Sequence, residues 1–444
     1  MIFSSLIFLI FFILFILLIN NLDKRFYPNL IFVGSYLFYA YNNFYHSLIV
    51  LYLCFIAILQ KENNLKLRFI IPLVIFPLLV FKYSNFILEN LNFLFNLDLA
   101  KIQIGGIPIG LSFITFTVIA YVVDLKNGKF KTNHSRTDCI NYIFFFPQLV
   151  AGPILRPSQL LLQLKENFRF NKSNISFGLS LFAIGLFKKI FIADTISEII
   201  DPIFYNIDVA SNSEIFTAFL LFPNQIYFDF SGYTHMAIGL AILFNIELPD
   251  NFNAPYLSSS IGEFWKKWHI TLSSWIRDYI YIPMGGSKGT FTLMMFNTIA
   301  AMTISGLWHG ASYTFIIWGF CNGLIMCAEK IFKYDSFNFR PIKIIINIFL
   351  VFNLWVLFRC TTLENSIIFY KSLYSHETFS IIIENYSVII ATLIMILFQL
   401  IDRTKIYLNF FKHKHYIIYI SIIVIIFSMV ISGGQSQRFI YFDF

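Results

Sequence analysis

Charge is scarce in this chain. Asp, Glu, Lys and Arg make up 13% of its 444 residues, against about 25% in soluble globular proteins. With 58% of residues hydrophobic, that scarcity excludes a water-soluble body of this length. The weak alternating pattern of a transmembrane β-barrel is also missing. What remains is an all-α fold: a polytopic integral membrane helical bundle, read as one membrane domain over residues 1–444. The chain lacks a separable soluble region, an internal repeat and a linker. Its Lys and Arg clusters therefore adjoin nothing that could hold nucleic acid, and nucleic-acid binding is excluded.

Cysteine is equally uninformative as a staple. Cys54, Cys139, Cys321, Cys327 and Cys360 form no C-x-x-C or other metal spacing, so neither a disulfide framework nor a zinc site is expected. No G-x-S-x-G is present, and no serine or cysteine stands out as a nucleophile. Residues 1–21 have no basic n-region and no small-residue cleavage site, which predicts a retained span rather than a signal peptide.

Apolar runs recur from end to end, separated by basic clusters at Lys24–Arg25, Lys61–Arg68, Lys126–Arg136, Lys165–Lys172, Lys330–Lys343 and Arg403–Lys414. The positive-inside rule places these clusters in the cytoplasm, so both termini are expected outside. Spans are expected near 2–20, 28–42, 47–60, 69–83, 106–123, 174–200, 214–246, 344–358, 384–401 and 416–432, with an interfacial helix at 84–100. Residues 138–155 contain Phe146-Pro147 and Gly152-Pro153 between basic flanks. That composition disfavours a straight span and suggests a re-entrant element buried in protein. In 254–288, charged residues alternate with Phe264, Trp265, Trp268, Trp275 and other apolar residues, which reads as an amphipathic helix at an interface or cavity mouth.

The longest uncharged stretch is Gly289–Ala328. At about 1.5 Å rise per residue and about 20 residues per span, it is long enough for two spans, or one span and a re-entrant piece. Near its centre is its only imidazole, His309, in Ser305-Gly306-Leu307-Trp308-His309-Gly310. An ionisable group at membrane depth is a functional candidate by default. Gly306 and Gly310 would let another backbone or a substrate approach. His309 has the intrinsic pKa range of a general base. His269 could be a second base, a hydrogen-bond donor to a developing oxyanion, or an interfacial residue. Arg277 and Asp278 read first as a structural ion pair.

The segment Phe264-Trp265-Lys266-Lys267-Trp268-His269 through Pro283-Met284-Gly285-Gly286 strongly resembles the diagnostic segment of the membrane-bound O-acyltransferase (MBOAT) family. The likeness is to the branch with the alginate and peptidoglycan O-acetyltransferases. Trp308-His309-Gly310 resembles that family's catalytic-histidine motif. Phe146–Pro153, Tyr227–Tyr233 and Ile440–Phe444 also resemble the branch, and His235 stands where the branch usually has an acidic residue. The resemblance implies a helical bundle with re-entrant and interfacial helices around a central funnel, with His309 near its constriction. It implies His309 and His269 as catalytic residues, supported by Trp308, Arg277 and Asp278. No bound cofactor is implied. The donor would be a cytoplasmic thioester, acetyl-CoA or an acyl carrier, and the acyl group would cross the membrane. A separate extracytoplasmic serine-hydrolase-like acetyltransferase would then acetylate a cell-envelope polysaccharide, peptidoglycan or an alginate-like polymer. The location would be the bacterial inner membrane, among its lipids. Two other readings stay open: D-alanyl transfer to teichoic acid from a carrier protein, and a non-enzymatic transporter or flippase.

Overall fold

A computed structural model describes residues 1–103, 105–130, 134–150, 152–334, 338–375, 385–404, 415–431 and 439. The elements in them are helical throughout. Among the described residues, seven helices are long and apolar enough to cross a membrane, including Phe44–Asn63, Phe291–His309, Tyr313–Ile331, Arg340–Arg359 and Tyr386–Arg403, and two shorter apolar helices accompany them. This is a multi-pass membrane protein. Aromatic Tyr441–Phe444 and most of the basic segment 403–415 lie outside the described residues.

The fold corrects two boundaries. The interfacial helix expected at 84–100 is the continuation of the preceding span, in a single helical run Leu67–Phe95. Lys82 is buried in a π-helical turn, Leu79–Tyr83, and the helix carries on past it. The amphipathic helix expected over 254–288 is broken into Pro255–Leu257, Ile261–Trp265 and Ile270–Ile276, followed by a π-helical turn Arg277–Tyr281. Composition suggested one helix. The break before Ile270–Ile276 carries a left-handed residue, His269.

Elsewhere the elements follow the reading closely. Residues 138–155 are indeed interrupted: helix Arg136–Phe144 stops and a short helix Phe146–Leu149 follows. Asn212–Leu243 is one helix of 32 residues despite Pro223.

By contact the chain forms two units, one of residues 1–187, 232–249 and 411–438, the other of 188–231, 250–410 and 439–444. The first has a phenylalanine core. Phe15 and Phe146 meet edge-on with ring centroids 5.6 Å apart, and Phe15 and Phe244 do so at 5.5 Å. The second is built on the uncharged stretch, which folds as two 19-residue helices, Phe291–His309 and Tyr313–Ile331. Their seam is made of glycine. A Cβ on Gly306 would lie 2.2 Å from the Phe315 carbonyl oxygen, one on Gly319 2.3 Å from that of Met302, and one on Gly323 2.7 Å from the Ile299 Cα. Small residues let the two backbones close on each other, as at membrane helix interfaces generally. Of the two approaches expected at Gly306, the structure shows the backbone one.

Candidate active site

The second unit carries both motif histidines. His309 is the last residue of Phe291–His309 and is 3% exposed. Gly310 follows in an extended conformation, and a Cβ there would run into the Phe315 ring at 2.1 Å. The helix ends where it does because Ser312 caps the next one through the Thr314 N–H. His309 is thus held at a fixed turn between two helices whose seam tolerates little displacement.

Rings surround it. Trp308 lies 4.7 Å away by ring centroid, Phe358 4.9 Å and Trp318 5.2 Å, all edge-to-face, and Phe315 lies 6.4 Å away. Phe358 comes from Arg340–Arg359 and Trp318 from Tyr313–Ile331. These rings pack the imidazole away from bulk water.

His269 is fully buried and has φ +43°, ψ +56°, a left-handed conformation uncommon for a residue with a Cβ. Its ring packs edge-on against Phe230 at 4.6 Å and lies 6.4 Å from Trp308. Trp308 is thus in ring contact with both histidines. Burial pushes the His269 imidazole down to about 3, so it is neutral at physiological pH. Strained backbone of this kind clusters at functional sites, where surrounding structure must hold it.

Beside the histidines is a cavity of about 710 Å³. Among the described residues, neither histidine lines it. Two rings link it to His309: Trp265 lines the cavity and meets Trp318 at 5.4 Å, and Trp318 meets His309 at 5.2 Å. Trp265 is fixed by its indole N–H, which donates to Asn322 Oδ1 at 2.9 Å. The cavity also reaches Ser305, one helical turn before His309. Its rim bears exposed Lys266, Arg277 and Lys330.

Glu263 and Glu329 also line the cavity. Glu329 accepts from the Ile261 and Gly262 N–H groups at 2.6 and 3.1 Å, anchoring the start of the broken segment. Burial alone would raise the Glu263 carboxyl, but Lys267 and Ser259 outweigh it and bring it down to about 2. Arg277 and Asp278 form the expected ion pair, at 2.7 Å. Arg277 thus belongs to the cavity rim, and Asp278 is its counter-ion. His235 is half-buried on Asn212–Leu243. The buried acid on that helix is Asp229, bound by Lys189 at 2.9 Å.

Asn251, Trp318 and Phe358 did not stand out in the sequence. The two rings lie in apolar runs where any aromatic reads as core. Asn251, in Pro249-Asp250-Asn251-Phe252, offered one signal: an amide at the turn just before the tryptophan-rich segment.

Comparison with known proteins gives this arrangement a class. Residues 125–370 match MBOAT, the membrane-bound O-acyltransferase family. The chain belongs to that family and is an acyltransferase. It is 33% identical over 401 residues to a Pseudomonas aeruginosa protein named "Probable alginate O-acetylase AlgI", covering 86% of this chain and 76% of that one. It is 34% identical over 386 residues to the peptidoglycan O-acetyltransferase of Helicobacter pylori, covering 77% and 72%. To the teichoic acid D-alanyltransferase of Bacillus subtilis it is 27% identical over 239 residues, covering 51% and 59%.

Proposed function

We propose that this protein takes an acetyl group from a cytoplasmic thioester and passes it across the inner membrane for O-acetylation of a cell-envelope polysaccharide, with His309 as the reacting imidazole. The observation that carries the reading is His309 held in a ring cage, linked through Trp318 and Trp265 to a large cavity with a cationic rim. The rim residue Lys330 opens the basic segment 330–343, which the positive-inside rule puts in the cytoplasm. A thioester donor with phosphate groups, acetyl-CoA or an acyl carrier, suits Lys266, Arg277 and Lys330 there.

The chemistry asks little beyond this. A thioester is already activated. The acceptor hydroxyl attacks its carbonyl carbon, a C–O bond forms and the C–S bond breaks. The hydroxyl proton goes to His309, which returns it to the departing thiolate. Rings on several sides keep water from competing. His269 is the second imidazole of the site. Arg277 and Asp278 act at the rim, and Trp308 packs against both histidines.

Acetyl transfer is favoured over D-alanyl transfer because the acetylating relatives match more of the chain at higher identity. A polymer acceptor is reached through a second, extracytoplasmic serine-hydrolase-like protein. The sequence offers no such nucleophile of its own. The test is reconstitution of purified protein in vesicles with acetyl-CoA and polysaccharide, with and without the second protein. Thiol release that depends on His309 supports the enzyme reading. Efficient polymer acetylation without the second protein refutes the hand-off, and His309-independent transfer refutes the site.

A further inference from the structure

Asn251 is fully buried and lies against the break that carries His269. Its backbone carbonyl accepts from the Ile270 N–H at 3.0 Å. Its side-chain oxygen accepts from the Thr271 N–H at 3.2 Å and from the Thr271 hydroxyl at 2.6 Å. The same oxygen faces His269 Nδ1 at 3.4 Å.

These contacts settle which way the amide points. The Thr271 backbone N–H can only donate, so the atom facing it is oxygen and not the amide nitrogen. A carbonyl oxygen can only accept. The ring nitrogen facing it must then carry the hydrogen, because a bare Nδ1 would set two lone pairs against each other. In a neutral imidazole only one nitrogen is protonated, which leaves the lone pair on Nε2. Phe230 packs against the same ring, with centroids 4.6 Å apart.

We propose that Asn251 is a positioning residue that fixes His269 as the Nδ1–H tautomer, so that His269 enters acyl transfer as a hydrogen-bond acceptor through Nε2 and not as a donor to the oxyanion. This inference rests on the reading of the site given under Proposed function, and it decides between roles that reading leaves open. It also explains an asparagine here. Aspartate would offer Thr271 and His269 the same oxygen. Its charge, however, would hold the imidazole protonated, and Nε2 would then donate. The neutral amide supplies the acceptor oxygen without that charge.

Two variants test it, assayed as thiol release from acetyl-CoA in vesicles holding the full chain. Asn251→Ala loses the orienting oxygen. It is expected to lower kcat by about 10- to 100-fold, as loss of a histidine's orienting partner does in other sites, with KM for acetyl-CoA unchanged. Asn251→Asp keeps the Thr271 contacts. It is expected to be poorly active at neutral pH and to recover as pH rises, its acid limb displaced upward by roughly 1 to 3 pH units. A role confined to bracing the chain would give losses independent of pH. A near-normal kcat in Asn251→Ala overturns the proposal. So does an Asn251→Asp variant whose pH profile matches the parent's or stays flat and low, and that variant carries the test if the alanine form does not accumulate in the membrane. His309→Ala and His269→Ala run alongside. If both retain transfer, the site itself has been misassigned. If both lose it while the Asn251 variants behave as the parent, only the present inference fails.

Discussion

Two buried regions of the second unit put titratable side chains in opposite settings. In the first, Lys189 Nζ lies 2.7 Å from Asp194 and 2.9 Å from Asp229, while Lys188 Nζ lies 2.6 Å from Asp402, which also accepts from the Tyr227 hydroxyl at 2.6 Å. Each charge there meets an opposite charge at contact distance. In the second, around His309, the close neighbours are rings. The first arrangement answers the desolvation penalty of buried charge with direct pairing, and both protonation changes and displacements work against it. The second packs a titratable imidazole against aromatic rings. Both clusters are buried, so burial alone does not mark chemistry. What the partners allow the group to do does.

The comparison breaks if the two regions respond alike to mutation. His309→Ala removes the proposed base from a cage that tolerates its loss. Transfer is expected to fall by about 10² to 10⁴-fold, the usual contribution of general acid–base catalysis, while thermal unfolding in detergent stays near the parent's. Lys189→Met should do the reverse. It leaves buried carboxylates without their cation, and removing one member of a buried pair costs about 3–5 kcal/mol. The variant should accumulate poorly and melt early, and whatever folds should still transfer acyl groups. A stable Lys189→Met protein lacking transfer would place the ion cluster in the reaction instead.

A smaller effect tests how rigidly the cage is held. Gly319→Ala puts a methyl 2.3 Å from the Met302 carbonyl oxygen, so the helix pair must part. Overpacking of this sort costs about 1–3 kcal/mol. Because Trp318 and His309 sit on the two helices of that pair, activity is expected to drop by more than the melting temperature suggests. Unaltered kcat in a folded variant would mean the cage does not depend on the glycine seam.

The bundle was legible in the sequence because a span declares itself through length and missing charge. The uncharged stretch Gly289–Ala328 had length for two helices and singled out His309 as a candidate, and the glycines foretold a close approach. Three things were not legible. The segment 254–288 looked like one helix because its residues alternate, whereas a left-handed residue is a backbone property that His269 does not advertise. The partners of Lys188 and Lys189 were hidden because Asp229 and Asp402 are distant in the chain. The rings around His309 were invisible for a different reason: in a chain with 19% aromatic residues, no single ring stands out until the fold gathers four around one imidazole.

Glu263 sharpens the contrast from a third position, neither fully buried nor caged. It bonds Lys267 Nζ at 2.6 Å and lies 3.3 Å from Arg340, with its side chain about a quarter exposed. Its carboxyl is held down to about 2, from an ordinary value of 4.5. A depressed carboxylate binds protons more weakly in the folded state than in the unfolded one. Its contribution to stability is therefore complete above about pH 4.5 and is lost as pH falls toward about 2. Water screens a site this exposed, so the effect should be the smallest of those considered. Glu263→Gln is expected to lower the melting temperature slightly at neutral pH and to flatten its fall between those two values. Parent and variant melting curves, measured in one detergent across that window, decide it. Parallel curves would mean that Glu263 is simply a solvated rim charge, and that pairing matters in this protein only where water is excluded.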